Sequence, residues 1–258
     1  MHKQKGLEAT TLSPIKYFAK RLGYKGVFAF AVKKSQMVIV PSNAVKGEIV
    51  DYYNIREDKV VVTHEGVDTL PTKGDKARIL KKFGIISPYF IYTGNAYPHK
   101  NLKRALKATL RLNKKRKDPV LFVVACARSV FSQKLEKLVD EMGASKYIKL
   151  LGFVPDYELG VLYKNSLGFL FPSLSEGFGL PGLEAILCGT VTLASNIPVF
   201  KEAYEDYVIY FDPLEPSSIK KAMEEVVSMA PEKRASLIKN AQKFARRYSW
   251  DKMARQTL

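Results

Sequence analysis

The sequence FPSLSEGFGLPGLEA, residues 171–185, leaves an apolar run, passes three glycines and opens a predicted helix at Pro181. Gly177, Gly179 and Gly182 let the backbone approach a ligand closely, because glycine has no side chain to keep it away. The start of the helix offers unpaired N–H groups and the positive end of the helix dipole. We therefore predict an anion-binding loop, which suits a pyrophosphate better than a neutral ligand.

Two carboxylates bracket this loop. Glu176 lies on the loop and Glu184 in the first turn of the predicted helix, so both side chains can face one pocket. Carboxylates accept hydrogen bonds from sugar hydroxyls. Alternatively, Glu184 complements the helix dipole, which contributes about 0.3–1 kcal/mol, and Glu176 is a solvated loop acid. The residue types alone favour neither interpretation.

From residue 89 onward, short β-branched runs alternate with helical patterns, which predicts an α/β fold with a parallel sheet covered on both sides by helices. The predicted strands are 89–93, 120–125, 148–151, 168–171, 191–194 and 208–211. The predicted helices start near Asn101, Ser132, Asp156, Pro181 and Ser217. Ligands of open α/β sheets bind at the carboxyl ends of the strands, where residues 171–185 would lie.

The chain before this pattern is organised differently. It predicts a helical start to about Lys34, a strand at 37–40, a helix at 42–53 and a strand at 60–63. Two βα steps cannot bury a core alone. Residues 66–75 contain Gly, Pro, Thr and Asp without apolar periodicity and predict a linker, with a domain boundary near Asp68.

The end of the chain, residues 231–258, is predicted to be helical with a break at Tyr248 and Ser249. Ser249 can cap a final helix that begins at Trp250. This final helix has little obvious partner within the main domain.

Composition limits the function classes. The 258 residues include 42 Lys+Arg against 25 Asp+Glu, a net charge of +17, which favours nucleic acid, anionic lipid or phosphorylated partners. No aromatic-interleaved basic motif is present, so we predict no nucleic-acid partner. Apolar stretches such as 120–127 fall short of the roughly 18 residues that cross a bilayer, and the lysine-rich start lacks a signal-peptide core. A cytoplasmic protein with reduced, buried Cys126 and Cys188 is predicted.

The segment EGFGLPGLEAILCGTVTLAS (176–195) resembles the signature of the retaining glycosyltransferase family 4, whose two glutamates with seven residues between them match Glu176 and Glu184. Five further blocks occur in the family's order: VPSNAVK (40–46), KVVVTHEGVD (59–68), YTGNAYPHKNL (92–102), LGFVPDYEL (151–159) and YFDP (210–213). The order and spacing of the blocks carry the resemblance more than any single one.

Members of this family have two Rossmann-like domains facing a cleft, the GT-B architecture, and hold the donor mainly in the C-terminal domain without a bound metal. The resemblance implies a doubly wound, Rossmann-like donor-binding domain at 69–247. It also implies a truncated remnant of the N-terminal acceptor-side domain at 1–68 and a C-terminal helix at 248–258 that crosses back to it. We find no D-x-D motif.

The resemblance also implies roles for residues of the loop. Glu184 is expected to bind the ribose hydroxyls of the donor, and the helix at Pro181 to face its diphosphate. The donor sugar is expected to be held near its reacting carbon by Glu176 and by the backbone of Gly177, Phe178, Gly179 and Leu180.

A second loop, 93–102, contains Lys100, which the family places against the donor phosphates, where a cation offsets charge on the leaving diphosphate. A solvated first-turn lysine is the alternative. Many members have arginine after the glycine that matches Gly94, whereas this sequence has Asn95, so one phosphate contact is expected to be weaker.

Other positions stay open or are expected to be structural. Phe153 and Val154 match the region that lies against the nucleotide base, although an ordinary loop with Asp156 as the N-cap is equally compatible. His99 is equally compatible with a structural role and with a substrate contact. We expect His64 to be structural, because retaining members need no protein base.

Together these features predict a retaining transferase that moves a hexose from a GDP-sugar or UDP-sugar to a glycan or lipid-linked acceptor. The motif PHKNL (98–102) resembles that of mannosyltransferase-like members of the family and indicates mannose as the sugar. This chain would supply the donor-binding half, alone or with a separate N-terminal subunit. An inactive nucleotide-sugar-binding fragment and a nucleic-acid-binding protein are the alternatives. The basic surface predicts peripheral contact with an anionic membrane at the inner face of the plasma membrane.

Overall fold

The computed structural model describes residue 10 and residues 13–258. Residues 1–9, 11 and 12 lie outside the described residues. They include parts of the predicted helical start and of the predicted domain at 1–68. The first elements are α1 (Pro14–Lys34), β1 (Val38–Val40), α2 (Asn43–Tyr53) and β2 (Val60–Val62). β1 and β2 form a parallel pair in which Val38 lies opposite Val60.

The remaining elements are the strands of a second, larger sheet and the helices that surround it. They are α3 (Lys76–Lys82), β3 (Tyr89–Thr93), α4 (Leu102–Asn113), β4 (Leu121–Ala125), α5 (Val130–Glu141), β5 (Ile148–Gly152), α6 (Asp156–Lys164), β6 (Gly168–Phe171), α7 (Leu180–Leu187), β7 (Thr192–Ser195), α8 (Pro198–Tyr204), β8 (Ile209–Phe211), α9 (Pro216–Val227), α10 (Pro231–Ala245) and α11 (Trp250–Thr257). The six strands are parallel, in the order β5-β4-β3-β6-β7-β8. This is the strand order of Rossmann folds.

The central strands are buried on both faces, which is why their sequences are continuously apolar rather than alternating. Helices α5 and α9 both pack on α4, whereas α6 and α10 both pack on α7. These groupings put a helical layer on each side of the sheet. The predicted α/β, doubly wound fold is confirmed.

The predicted helix starts differ from the structure in two details. The helix predicted near Ser132 begins at Val130, because Ser129 is its cap and Ser132 completes a capping box. Asp156 is the first helical residue, and Pro155 occupies the N-cap position. The short helices α3 and α8 were not predicted, since their seven residues each show little periodicity.

The predicted linker has neither helix nor strand between residues 66 and 75, and its first residues contact the start of the final helix. A Cβ at Gly66 would lie 2.2 Å from the backbone nitrogen of Trp250. The Trp250 indole also donates to the Asp68 carboxylate at 2.9 Å. The chain therefore crosses itself here, and Gly66 permits the approach. The domain boundary near Asp68 stays a prediction.

Two further sequence expectations concern burial and membranes. Cys126 and Cys188 are both buried and unpaired, as predicted, and burial raises the pKa of the Cys188 thiol to about 11. Within the described residues, none of the helices combines the length and the apolar content that crossing a bilayer requires.

Candidate functional site

The candidate site lies where the strand order reverses. β3 pairs with both β4 and β6, while the chain runs outward from β3 on one side and from β6 on the other. The loops that follow β3 and β6 therefore diverge and leave a crevice at the carboxyl ends of the strands, the usual ligand site of such sheets. Both loops that the sequence singled out meet at this crevice.

Direct contacts join the two loops. The Lys100 ammonium lies 2.5 Å from Glu176 Oε1, and the side chains of both residues are only 13% exposed. The Ser173 hydroxyl donates to the same Glu176 oxygen at 2.7 Å. The predicted phosphate-binding lysine and sugar-binding glutamate thus form an ion pair in this structure.

Asn101 holds the loops in place through its side chain. It was not identified as a site residue from the sequence. Its side-chain amide donates to the carbonyls of Pro172 at 2.9 Å and Pro213 at 2.8 Å, and the residue is 3% exposed. It occupies the N-cap position of α4 in a left-handed conformation, but its side chain does not cap the helix. The backbone N–H of Leu174 also donates to the His99 carbonyl, at 2.8 Å. The sequence signal that could have identified Asn101 was its position directly after Lys100.

Glu184 was predicted in the first turn of its helix, but α7 already begins at Leu180, so Glu184 is the fifth helical residue and lies in the second turn, where it is partly buried. Among the described residues, its carboxylate has no hydrogen-bond or ion-pair partner. Burial raises the pKa of Glu184 above its usual value, and the nearby Asp156 and Asp68 carboxylates raise it further. A desolvated carboxylate with unused acceptor oxygens is suited to receive hydroxyl groups of a ligand.

Tyr204 explains two of the three loop glycines. A Cβ at Gly179 or at Gly182 would lie 2.3 Å from the Tyr204 hydroxyl, which donates to the Gly179 carbonyl at 2.6 Å. Gly179 also has a φ of +113°, which favours glycine. The interpretation that all three glycines make room for a ligand is therefore wrong for Gly179 and Gly182, since a core tyrosine fills that space.

The remaining positions of the first loop point in different directions. The Phe178 side chain is 2% exposed and packs against His64 and Tyr248, so only its backbone can face the crevice. Leu180 begins α7 and is partly buried. Gly177 is exposed, and a Cβ there would make only an ordinary contact, 3.6 Å from Pro41.

In the second loop, the Tyr92 hydroxyl donates to the Asn95 carbonyl at 2.7 Å, and it would lie 2.9 Å from a Cβ at Gly94. The Asn95 side chain accepts from the backbone N–H of Tyr97 at 3.2 Å, so it stabilises the turn. Asn95 is nevertheless exposed, and Gly94 has a φ of +135°. Both residues lie on the loop that leads from β3 to Lys100.

At the end of β5, Phe153 is 76% exposed, whereas Val154 is buried. This aromatic side chain is therefore free to lie against a planar group. His99 lies between the loops, and burial lowers its pKa, as does the adjacent Lys100. His64 pairs with Glu202 at 3.0 Å and stacks on Phe178 at 5.6 Å, which supports a structural role.

The sequence of this chain matches a known protein family. The family model "Glycosyl transferases group 1" matches residues 75–244, which include all of α4 to α9. The chain belongs to this family. The matched region begins at the N-cap of α3 and ends near the end of α10.

Two curated relatives are O-antigen mannosyltransferases. The chain is 27% identical over 237 residues to the O-antigen chain mannosyltransferase RfbU of Salmonella typhimurium, covering 92% of this chain and 62% of the relative. It is 28% identical over 187 residues to the O-antigen chain mannosyltransferase B of Escherichia coli, covering 71% of this chain and 49% of the relative. The chain thus spans less than two thirds of either relative.

A solved structure shows the same fold. Anabaena HepE, crystallised in complex with UDP and glucose, superposes with a TM-score of 0.80 at 19% sequence identity. The match covers 96% of this chain and 68% of HepE. The architecture predicted from the sequence blocks is confirmed at the level of the fold.

Proposed function

We propose that this chain supplies the donor-binding half of a retaining hexosyltransferase that uses a nucleoside-diphosphate sugar. The observation that carries the proposal is the crevice between the β3 and β6 loops, where Lys100 and Glu176 meet beside the start of α7. The unpaired Glu184 carboxylate follows on the same helix. Membership of the group 1 family supports the same reaction class.

Each residue has a proposed part in this reaction. Glu184 accepts hydrogen bonds from the ribose hydroxyls, and Glu176 with the backbone of residues 177–180 holds the donor sugar. Lys100 stabilises the charge that develops on the diphosphate as its bond to the sugar carbon breaks. The acceptor oxygen bonds to that carbon on the same face, and its proton passes to the departing phosphate oxygen. No protein base is needed for this step.

We propose GDP-mannose as the donor to test first, because the alignments with the two mannosyltransferase relatives cover most of this chain. The proposed acceptor is a glycan or a lipid-linked glycan of a polysaccharide pathway. We also propose that donor binding needs no metal, as the family resemblance implies. Phe153 and Val154 are proposed to lie against the nucleotide base.

Calorimetry with the purified chain tests this proposal. GDP-mannose, GDP-glucose, UDP-glucose and UDP-galactose are titrated with and without EDTA, and at least one should bind equally well in both conditions. If none binds, the donor-domain proposal fails. Release of the free nucleotide in the presence of acceptor lipid extracts then distinguishes a transferase from a domain that only binds the donor.

The Lys100–Glu176 pair leads to a specific prediction for the donor. Lys100→Ala is expected to weaken donor binding about five- to tenfold, less than for a lone lysine, because Glu176 already neutralises part of its charge. Calorimetry measures the change, and Lys103→Ala, an exposed neighbour on α4, is the control. In combination with Glu176→Gln the two effects should not add, since contacting residues are energetically coupled. Additive effects would show that the ion pair has no part in binding.

Helix α1 supports the proposed contact with an anionic membrane. Its Ile15, Phe18 and Leu22 are 84%, 60% and 73% exposed, and they share one face because they are spaced three and four residues apart. Val32 is buried, and Lys25 lies over the ring of Tyr52 on α2, so the second half of the helix is held to the protein, whereas these three residues lie in the first half. Basic residues flank the exposed face, and α1 contains no acidic residue. These are the properties of interfacial helices.

Vesicle sedimentation tests this contact. The wild-type chain is expected to bind vesicles that contain phosphatidylglycerol and to be released by salt, because each basic residue near anionic lipid contributes about 1 kcal/mol. Phe18→Ser with Leu22→Ser should reduce binding strongly. Ile86→Ser, which removes an equally exposed apolar side chain far from α1, should not. Equal binding of both variants would contradict the proposal. Self-association that disappears only in the α1 variant would instead indicate a protein partner.

A further inference from the structure

The N-terminus of α2 is attached directly to the loop that follows β6. The Ser42 hydroxyl donates to the carbonyl of Gly177 at 2.9 Å and accepts from the backbone N–H of Val45 at 3.2 Å. Ser42 is fully buried. One hydroxyl group therefore caps α2 and holds the peptide next to Glu176, using its single donor hydrogen for the loop.

A second attachment comes from α8. The Glu202 carboxylate accepts from the backbone N–H of Asn43 at 2.7 Å and of Ala44 at 3.0 Å, and also from the Asn43 side chain at 2.8 Å. Burial by itself raises the pKa of Glu202, but these hydrogen bonds and the one from His64 hold it below its usual value. A carboxylate at a helix N-terminus is also favoured by the helix dipole. The N-terminus of α2 is thus held in place by α8, a helix that follows a strand of the larger sheet.

The third contact is aromatic. The His64 ring, two residues before the linker, stacks on Phe178 with 5.6 Å between ring centroids and 21° between ring planes. Its Nε2 atom also contacts Glu202 at 3.0 Å. Gly177 and Phe178, which follow Glu176 directly, are therefore both held by residues that precede the larger sheet in the chain. The conformation of this loop depends on where α2 and the linker lie.

We propose that Ser42 is a positioning residue that couples α2 to the donor loop. With the Ser42 hydroxyl on the Gly177 carbonyl, the peptide beside Glu176 is fixed, and Glu176 keeps the orientation in which it meets Lys100. The proposal rests on the proposed donor function. Coupling of this kind is reciprocal, so a donor that tightens the loop also tightens the N-terminus of α2.

The capping role and the anchoring role of Ser42 can be separated. Glycine is almost as good an N-cap as serine, so Ser42→Gly preserves the start of α2 while it removes the bond to Gly177. Ser129 is a matched control, because it caps α5 by accepting from Ser132 N–H at 3.1 Å and does not contact the loop. Ser129→Gly therefore reproduces the loss of a cap without the loss of the anchor.

The test compares these two variants with the wild-type chain. Both variants should stay folded in thermal unfolding, with Ser42→Gly the less stable of the two, because Ser42 is buried whereas Ser129 is exposed. Ser42→Gly is expected to weaken donor binding about three- to tenfold in calorimetry, whereas Ser129→Gly should match the wild type. In hydrogen exchange, the donor should slow exchange of the Val45 amide in the wild type and in Ser129→Gly, but not in Ser42→Gly.

Further outcomes separate this proposal from the proposed function. If the wild type binds no nucleotide sugar, the proposed function fails, and exchange of residues 174–180 without donor still decides about the anchor. Faster exchange there in Ser42→Gly than in Ser129→Gly supports the anchor. Equal exchange in the two variants, or equal donor affinity, overturns the role of Ser42.

Discussion

Glu184→Gln is expected to weaken binding of the nucleoside-diphosphate sugar about 10- to 100-fold, the effect of losing hydrogen bonds to a charged acceptor. The same change should leave the free energy of unfolding unchanged or raise it. The reason is that the Glu184 carboxylate is desolvated and, within the described residues, has no ion-pair partner, so its charge costs stability in the folded chain. Glutamine has the same shape and no charge.

The dependence on pH follows from the raised pKa of Glu184. The folded chain binds this proton more tightly than the unfolded chain, so the contribution of Glu184 to stability falls as pH rises from its usual pKa through the raised one. Donor binding should change in the opposite direction and strengthen over the same window, because only the ionised carboxylate accepts hydrogen bonds at both oxygens. In Glu184→Gln neither pH dependence should remain at this site.

Calorimetry and chemical unfolding at several pH values measure both effects. Glu232→Gln is the control, because Glu232 is an exposed glutamate at the start of α10, where Arg234 donates to the Ser166 carbonyl before β6, at the end of the sheet opposite the crevice. It should change neither donor affinity nor stability appreciably. A Glu184→Gln variant that is strongly destabilised, or that keeps full donor affinity, would contradict the role given to Glu184.

Gly179→Ala is expected to lower the free energy of unfolding by about 3–5 kcal/mol, a large fraction of a typical domain's stability. An alanine must adopt a φ of +113°, and its Cβ would lie 2.3 Å from the Tyr204 hydroxyl. Moving Tyr204 would break its hydrogen bond to the Gly179 carbonyl and leave a buried hydroxyl without a partner. Urea unfolding followed by circular dichroism measures the loss.

Gly177→Ala in the same loop is the comparison for stability. Its Cβ would make an ordinary contact, 3.6 Å from Pro41, and the residue does not need a positive φ. Its free energy of unfolding should change by less than about 1 kcal/mol. Adding Tyr204→Phe to Gly179→Ala should recover part of the loss, because it removes the atom in the clash but not the backbone strain. Equal destabilisation by both alanines would show that Tyr204 does not select the glycines.

Most of the fold could be predicted from the sequence because its signals are local. Continuous apolar runs indicate strands that are buried on both faces, and a capping residue or proline marks most helix starts. The short helices α3 and α8 escaped prediction because seven residues hold barely two turns of periodicity. The roles predicted for Glu176, Glu184 and Lys100 came from the resemblance of their motifs to those of the family, since the residue types alone left alternatives open.

The sequence by itself determined the fold class, the family and the two loops that form the candidate site. Tertiary structure alone decided which residues touch, because those contacts depend on strand order and on chain crossings that no local pattern encodes. Lys100 and Glu176 are 76 residues apart, and Ser42 and Gly177 are 135 residues apart. The central position of β3 beside β6 brings the first pair together, and the docking of α2 brings the second. The packing of Tyr204 likewise decided why Gly179 and Gly182 have no side chain, because a Cβ at either position would collide with this core tyrosine.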